Sequence, residues 1–206
     1  MRAVRWRYPR AVWVISMAFT AQLLPRRRGR GTAWWVYPLA LLLWPAYFVN
    51  LLPFVLIGRV YLSDDGDVAL TLRRSDGGAD SLWLGVGMTI TVAVYFVAFV
   101  LLGAPALLYV AATTVMLGLQ AREALGDLLD LTIRPPEAPY WTVEGLARMP
   151  ASATPALRLA GELIERVVPE GELVVAVAGN QRLARVYERY GFVRRRARGL
   201  ALTARR

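Results

Sequence analysis

Long uncharged hydrophobic stretches dominate the first two thirds of the chain. Residues 34–58 and 81–121 contain no charged side chain. A helix rises about 1.5 Å per residue and the hydrocarbon layer of a bilayer is about 30 Å thick, so the first stretch is long enough to cross it with some tilt. The second stretch is longer than one level crossing requires. The pattern predicts a membrane region over residues 34–121, with spans over residues 34–60 and 86–120.

The second hydrophobic stretch is interrupted near its middle by Gly103 and Pro105. Proline removes a backbone donor and bends or ends a helix. Two arrangements fit this interruption: one long tilted span that kinks there, or two half-length helices that form a re-entrant hairpin. We expect the single kinked span, so that two crossings leave both ends of the chain on one side of the membrane.

Residues 1–33 are predicted to be a basic segment at the membrane interface. An uncharged run over residues 11–25 follows a group of arginines, Arg2, Arg5, Arg7 and Arg10. That run is shorter than the ~20 residues of a typical span. A helix in the interface, with its arginines directed to lipid headgroups, is the preferred interpretation. A short third span is the alternative, and the arginines directly after the run argue against a signal peptide.

Residues 59–80 form a polar, mostly acidic connection between the two predicted spans. Its Asp-Gly and Gly-Gly pairs are turn signals around a short hairpin. Its aspartates do not fit a calcium-binding loop, because the twelfth position is Ser75 rather than a glutamate. Arginine-rich flanks stay in the cytoplasm. We therefore predict a protein of the cytoplasmic membrane with its N-terminus and its C-terminal domain inside and the acidic loop outside.

A soluble domain is predicted over residues 140–206, after a connecting helix and a proline-rich linker at residues 122–139. Strand-like runs and helical spacing alternate in this domain as β-α-β-α-β. Asn180 is in the position of a helix N-cap, and Gly191 is in the position of a C-terminal stop. The expected fold class is α+β, with a helical membrane-spanning N-terminal region followed by a partial mixed α/β sheet domain.

Composition excludes several kinds of chemistry. The 206 residues include no cysteine and no histidine, so disulfides, thiolate nucleophiles, histidine bases and the common zinc sites are excluded, and no metal is predicted. The net charge of +10 comes from arginine alone. Nucleic-acid binding is the weaker interpretation of this charge, because aromatic residues do not alternate with the basic run, and anionic lipid fits that run equally well. The run consists of Arg194, Arg195, Arg196 and Arg198.

The end of the chain carries a more specific pattern. It begins at a short buried strand and continues through a helix to the start of a second strand. Its residues are Asn180, Ala184, Tyr187, Glu188, Gly191 and Phe192. This pattern resembles the signature of the GNAT family of acyl-CoA-dependent N-acetyltransferases, in which it spans the fifth strand, the following helix and the start of the sixth strand.

The resemblance implies roles for individual residues. Tyr187 is implied as the general acid that reprotonates the leaving thiolate, and Asn180 as a cofactor contact. The stretch that ends in Leu-Ala-Arg-Met-Pro is similar to the family's fourth strand, whose backbone binds the pantetheine arm, which implies Leu146 and Arg148 as cofactor-binding residues. Glu144 is the candidate general base; a solvated strand residue or a partner for an arginine are the alternatives. Acetyl-CoA, or another acyl-CoA, is the expected co-substrate.

The loop after this strand departs from the family pattern. The family has small residues there, and their backbone amides at a helix N-terminus bind the pyrophosphate. Here Pro155 and Arg158 occupy positions of that motif, and Ala160 alone fits it. Arg158 and Ala160 are the residues that correspond to the family's phosphate contacts.

The resemblance covers about the last third of the chain and the C-terminal half of the family's fold. A half sheet leaves an exposed edge, which a second subunit or the membrane region would cover. Two functions follow, both with the lipid bilayer as a partner. One is a membrane-anchored N-acyltransferase that moves an acetyl or acyl group from acyl-CoA to an unidentified amine in the cytoplasm. The other, favoured by the altered phosphate loop, is a catalytically inactive membrane scaffold or partner subunit.

Overall fold

Helices and strands alternate along most of the chain, in an α+β fold. The computed structural model describes residues 1–4, 7–22, 34, 36–75, 79–122, 124–136, 139–197 and 199–206. The helices are α1 (Tyr8–Gln22), α2 (Val36–Leu56), α3 (Ala79–Leu102), α4 (Ala104–Ala121), α5 (Leu125–Ile133), α6 (Ala156–Val167) and α7 (Gln181–Arg189). The strands are β1 (Arg2–Ala3), β2 (Val60–Leu62), β3 (Val68–Ser75), β4 (Tyr140–Arg148), β5 (Leu173–Val177), β6 (Val193–Arg194) and β7 (Ala201–Arg205).

All of these strands belong to one mixed sheet. Within the described residues its order is β1-β2-β3-β4-β5-β7-β6. The β4–β5 pair is parallel, and the other neighbouring pairs are antiparallel. Helix α6 makes the crossover between the two parallel strands and packs on one face of the sheet through Ala160 and Leu163.

The predicted half sheet is wrong, because the N-terminal region supplies the missing strands. Strand β3 pairs with β4 from Val68↔Arg148 to Ser75↔Tyr140. The edge that was expected to need a second subunit or a membrane cover is therefore occupied by the chain itself. The acidic connection also cannot lie outside while the C-terminal domain lies inside, since the two are hydrogen-bonded in one sheet.

Helix α1 is a core helix rather than an interfacial one. Its residues Ala11, Val12 and Val14 are fully buried, in a cluster that also contains Leu43 of α2 and Ala147 of β4. The helix thus has the sheet on one side and α2 on the other. Its uncharged sequence serves protein packing, which the interfacial interpretation did not anticipate.

The N-terminal arginines bind the acidic turn between β2 and β3. Arg2 lies 3.3 Å from the carboxylate of Asp64, and Arg10 lies 3.1 Å from that of Asp67. Both pairs are partly exposed, so each contributes at most about 1 kcal/mol. Their main consequence is that these arginines have protein partners close to the sheet instead of the predicted lipid headgroups.

Helices α2, α3 and α4 are apolar over most of their length, and α2 packs on α1. By length and composition, two described segments, Val36–Leu56 and Gly85–Leu102, are apolar enough to cross a membrane. Helix α3 ends just before Gly103, which has φ +62°, and α4 begins after it and returns toward α2. The Tyr109 hydroxyl donates to the Leu42 carbonyl at 3.0 Å. The predicted single kinked span is therefore wrong, and two helices joined at Gly103 replace it.

Helix α5, which follows α4, is bound to the segment between β6 and β7. The Asp127 carboxylate accepts a hydrogen bond of 2.6 Å from the Leu200 amide, and the Asp130 carboxylate pairs with Arg196 at 2.5 Å. Ala124, just before α5, is buried in a cluster with residues of β5, α7 and β7. The hairpin of α3 and α4 thus follows β3 of the sheet directly, and it leads into α5, which is bound to the sheet.

Candidate functional site

A wedge opens between the two parallel strands at their carboxyl ends. Strands β4 and β5 are paired from Tyr140↔Leu173 to Val143↔Ala176 and separate beyond that point. Residues 144–148 of β4 stay paired with β3, whereas the Ala178 amide donates to the Leu200 carbonyl on the side of β7. One edge of β4 therefore faces the wedge with backbone groups that β5 does not use.

A bulge in β4 lies at the start of this wedge. The register with β3 shifts between Ala69 and Thr71, and Gly145 has φ +77°. Left-handed backbone is strained for any residue with a Cβ, so glycine suits this position. Glu144 and Leu146 lie on either side of the bulge and face opposite sides of the sheet. Leu146 packs on the α6 face.

Glu144 has an arginine partner, one of the alternatives that the sequence left open. Its Oε1 accepts from both Nε and Nη2 of Arg73, at 3.2 and 3.1 Å. The pair is partly buried, with the Glu144 side chain 32% exposed. The second carboxylate oxygen, Oε2, makes no hydrogen bond to the described part of the chain. This oxygen is the part of Glu144 that remains open to a hydrogen-bond donor or a cation.

Tyr187 is buried beside β5. It is 7% exposed and shares a cluster with Ala176 and Ala178, and its ring centroid lies 5.9 Å from that of Phe192. Burial raises the pKa of Tyr187 to about 12, because the phenolate would lose its hydration. The phenol therefore stays protonated at neutral pH and has a proton to donate.

Asn180 and Gly191 bound helix α7 as the sequence predicted. The Asn180 Oδ1 accepts from the Leu183 amide at 2.9 Å, which confirms the N-cap. Gly191 has φ +85°, which confirms the C-terminal stop. Asn180 is exposed, so its amide nitrogen remains open to solvent while its oxygen is used by the cap. The cap explains the residue without any ligand, and the cofactor contact stays a prediction.

An acidic side chain, which no local pattern predicted at this place, holds the loop between β4 and α6. The Thr154 hydroxyl donates to Asp65 Oδ2 at 2.7 Å, and Arg148 Nη1 lies 3.4 Å from the Thr154 carbonyl oxygen. Hydrogen bonds from Ser63 and then from Thr154 hold the pKa of Asp65 below its ordinary value. A carboxylate at this loop opposes the binding of a phosphate nearby.

The two residues predicted from the phosphate motif are not equivalent. Arg158 is exposed on α6 and pairs with Glu162 at 3.5 Å, so its guanidinium remains accessible to an anion. Ala160 is 5% exposed and packs in the core with Leu163. Its small side chain allows α6 to approach the sheet. The predicted contact involves backbone amides beside small side chains, so the role of Ala160 at a phosphate stays a prediction.

The basic run after β6 is largely occupied by protein partners. Arg194 pairs with Glu188 at 2.7 Å, and Arg196 pairs with Asp130. Arg195 donates to the Arg134 carbonyl at 3.1 Å. Arg198 lies outside the described residues. Each of these three arginines thus has a protein partner, and the Arg196 side chain remains 55% exposed.

No protein-family model matches this chain, and neither does any curated protein. The resemblance to GNAT enzymes therefore depends on the residues from Asn180 to Phe192 and on the strand that contains Leu146. The geometry adds three features near those residues: an open wedge, a buried protonated phenol and a carboxylate with one free oxygen.

Proposed function

We propose that this protein is a membrane-anchored N-acyltransferase that uses acetyl-CoA or another acyl-CoA. The observation that carries the proposal is the wedge between β4 and β5, together with the signature residues in and around α7, the helix that follows β5. A pantetheine arm is a narrow chain of amides that can pair with backbone groups on the free edge of β4. The expected location is the cytoplasmic membrane, with the sheet on the cytoplasmic side.

The number of strands gives additional support. The resemblance implied that the strand with Leu146 is the fourth of the fold and that the strand before Asn180 is the fifth. Counted along the described chain, these strands are β4 and β5. That count depends on β1, β2 and β3, whose sequences had no part in the resemblance.

The proposed reaction uses the roles that the resemblance implies for Tyr187 and Glu144. The amine nitrogen attacks the thioester carbonyl carbon, a C–N bond forms, and the C–S bond breaks as the tetrahedral intermediate collapses. Tyr187 donates its proton to the leaving sulfur. The proton lost by the attacking amine passes to Glu144 Oε2 or to water, and a proton returns to Tyr187, so that an amide and a free thiol are the products.

A catalytically inactive scaffold is the second candidate function, and one observation favours it. Asp65 holds the loop at which the family binds pyrophosphate, and its negative charge opposes that ligand. A scaffold would retain the sheet and the membrane helices without any binding of acyl-CoA.

Calorimetric titration of acetyl-CoA into the full-length protein in detergent separates the two functions. We expect binding that Tyr187→Phe leaves intact while turnover with an acceptor amine is lost. Asp65→Asn should tighten binding about two- to fivefold, because a charge that opposes phosphate is removed. Glu170→Gln, the same chemical change at an exposed residue between α6 and β5, is the matched control. No heat at millimolar acetyl-CoA in either the parent or Asp65→Asn would leave the scaffold as the function.

A further inference from the structure

An unpartnered hydroxyl lies next to Glu144. Thr71 is its cross-strand neighbour, is 1% exposed, and its Oγ1 has no hydrogen-bond partner among the described residues. A buried hydroxyl without a partner is costly, and most buried polar groups in proteins are satisfied. Together with the free Oε2 of Glu144, the Thr71 hydroxyl forms a pair of unused acceptors at the start of the wedge.

Both acceptors lie on the sheet face that carries the apolar helices. Ala69 is two residues before Thr71 on β3 and therefore lies on the same face. Ala69 packs in the cluster of α1 that also includes Leu43 of α2. Glu144 is paired with Thr71 and shares that face. The opposite face, covered by α6, contains Leu70 and Leu72.

Helix α4 connects this face with the surroundings of Tyr187. Met116 of α4 packs against the cluster that contains Ala147 of β4. Ala124, between the end of α4 and the start of α5, belongs to the cluster that contains Ala178 and Tyr187. Strands β4 and β5 separate between these two clusters. The returning half of the apolar hairpin therefore borders the wedge.

The outer surface of this hairpin is uncharged and exposed. Phe96 and Leu101 of α3 and Leu108 of α4 are 64%, 75% and 72% exposed. A water-soluble polyamine or a basic peptide has nothing to bind on such a surface, whereas a hydrocarbon chain gains by contact with it.

We propose that the acceptor is an amphiphilic primary amine taken from the bilayer. Its ammonium donates to Glu144 Oε2 and to Thr71 Oγ1, and its hydrocarbon chain lies against α2, α3 and α4. This proposal deepens the acyltransferase function and rests on it. Arg73 holds the other oxygen of Glu144 and so directs Oε2 toward the amine.

The first test measures amine binding without acetyl-CoA. Butylamine and octylamine are titrated into the full-length protein in nanodiscs, and the heat of partition into empty nanodiscs is subtracted. We expect the affinity to rise about fourfold for each added methylene group. Thr71→Val should weaken octylamine binding about tenfold, and Thr71→Ser should restore it, because serine retains the hydroxyl. Thr203→Val is the matched control, since the Thr203 hydroxyl already bonds to the Val193 carbonyl at 3.5 Å.

The second test measures acylation of the same amines at saturating acetyl-CoA. Thr71→Val should raise KM for octylamine with little change in kcat, since Thr71 binds the amine and does not transfer the proton. Equal binding of octylamine to the parent and to Thr71→Val would overturn the proposal, and so would equal binding of butylamine and octylamine. Hydroxyl-dependent octylamine binding without acetyl-CoA binding would retain the amine site and reject the acyltransferase.

Discussion

The two faces of the sheet are covered by different kinds of helix. Helix α6 has buried Ala160 and Leu163 on one side and exposed charges such as Arg158 on the other, as is usual for a helix between a core and water. Helices α1 and α3 are both uncharged over most of their length, yet α1 is buried and α3 is largely exposed. An all-round apolar helix thus indicates that something covers it, without indicating whether that cover is protein or lipid.

The largest expected effect tests that difference within the apolar helices. Val12→Asp places an unpaired charge at a fully buried position of α1, which should cost more than about 4 kcal/mol and prevent folding. Leu101→Asp, on the exposed side of α3, should leave the sheet folded in detergent and reduce membrane insertion. Yield of folded protein and the fraction recovered with membranes are the measurements. Equal loss of folded protein in both variants would mean that α3 is a core helix like α1.

A smaller effect is expected on the α6 face. Leu163→Ala removes a side chain that is 3% exposed, and such truncations typically cost about 3 kcal/mol. Arg158→Ala on the exposed side of the same helix should change stability by less than about 0.5 kcal/mol, because its ion pair is solvated. Thermal unfolding followed by circular dichroism gives both values. Similar midpoints for the two variants would contradict the amphipathic description of α6.

The pH dependence of stability tests the burial of Tyr187 beside β5. Its pKa is about 12 in the fold and about 10 in an unfolded chain. Its contribution is complete below pH 10 and is lost as the pH rises toward 12, because the unfolded chain releases that proton first. The parent should therefore lose about 2 kcal/mol more than Tyr187→Phe across this interval. The free energy of unfolding is measured by urea titration at several pH values from 9 to 12. The same dependence on pH in the parent and in Tyr187→Phe would show that the phenol is hydrated.

The smallest effect is expected on the face of the sheet that α1 covers. Thr71→Val replaces a buried hydroxyl that has no partner by a methyl group of similar shape and should raise stability by about 1 kcal/mol. The opposite result, a loss of stability, would mean that the hydroxyl is bonded in the folded protein. A gain in stability with a loss of amine binding would indicate that this hydroxyl is retained for a ligand.

Local signals were enough to predict the C-terminal elements. Asn180 and Gly191 mark the ends of α7 through interactions within a few residues, and a short β-branched run marks β5. The partner of β3 had no such signal, because α3, α4 and α5 separate β3 from β4 in sequence. The contacts of Glu144 with Arg73 and of Thr154 with Asp65 depend on that same pairing, so residue spacing alone could not predict them.

The pairing of Ser75 with Tyr140 also determines when the sheet can form during synthesis of the chain. A ribosome adds about 5–20 residues per second, so β4 is synthesised several seconds after β3. The hydrophobic hairpin leaves the ribosome during that interval, before the two strands can meet. Closure of the sheet is therefore a late, long-range step that follows the synthesis of α3 and α4. Until β4 has been made, the edge of β3 stays unpaired and prone to aggregation.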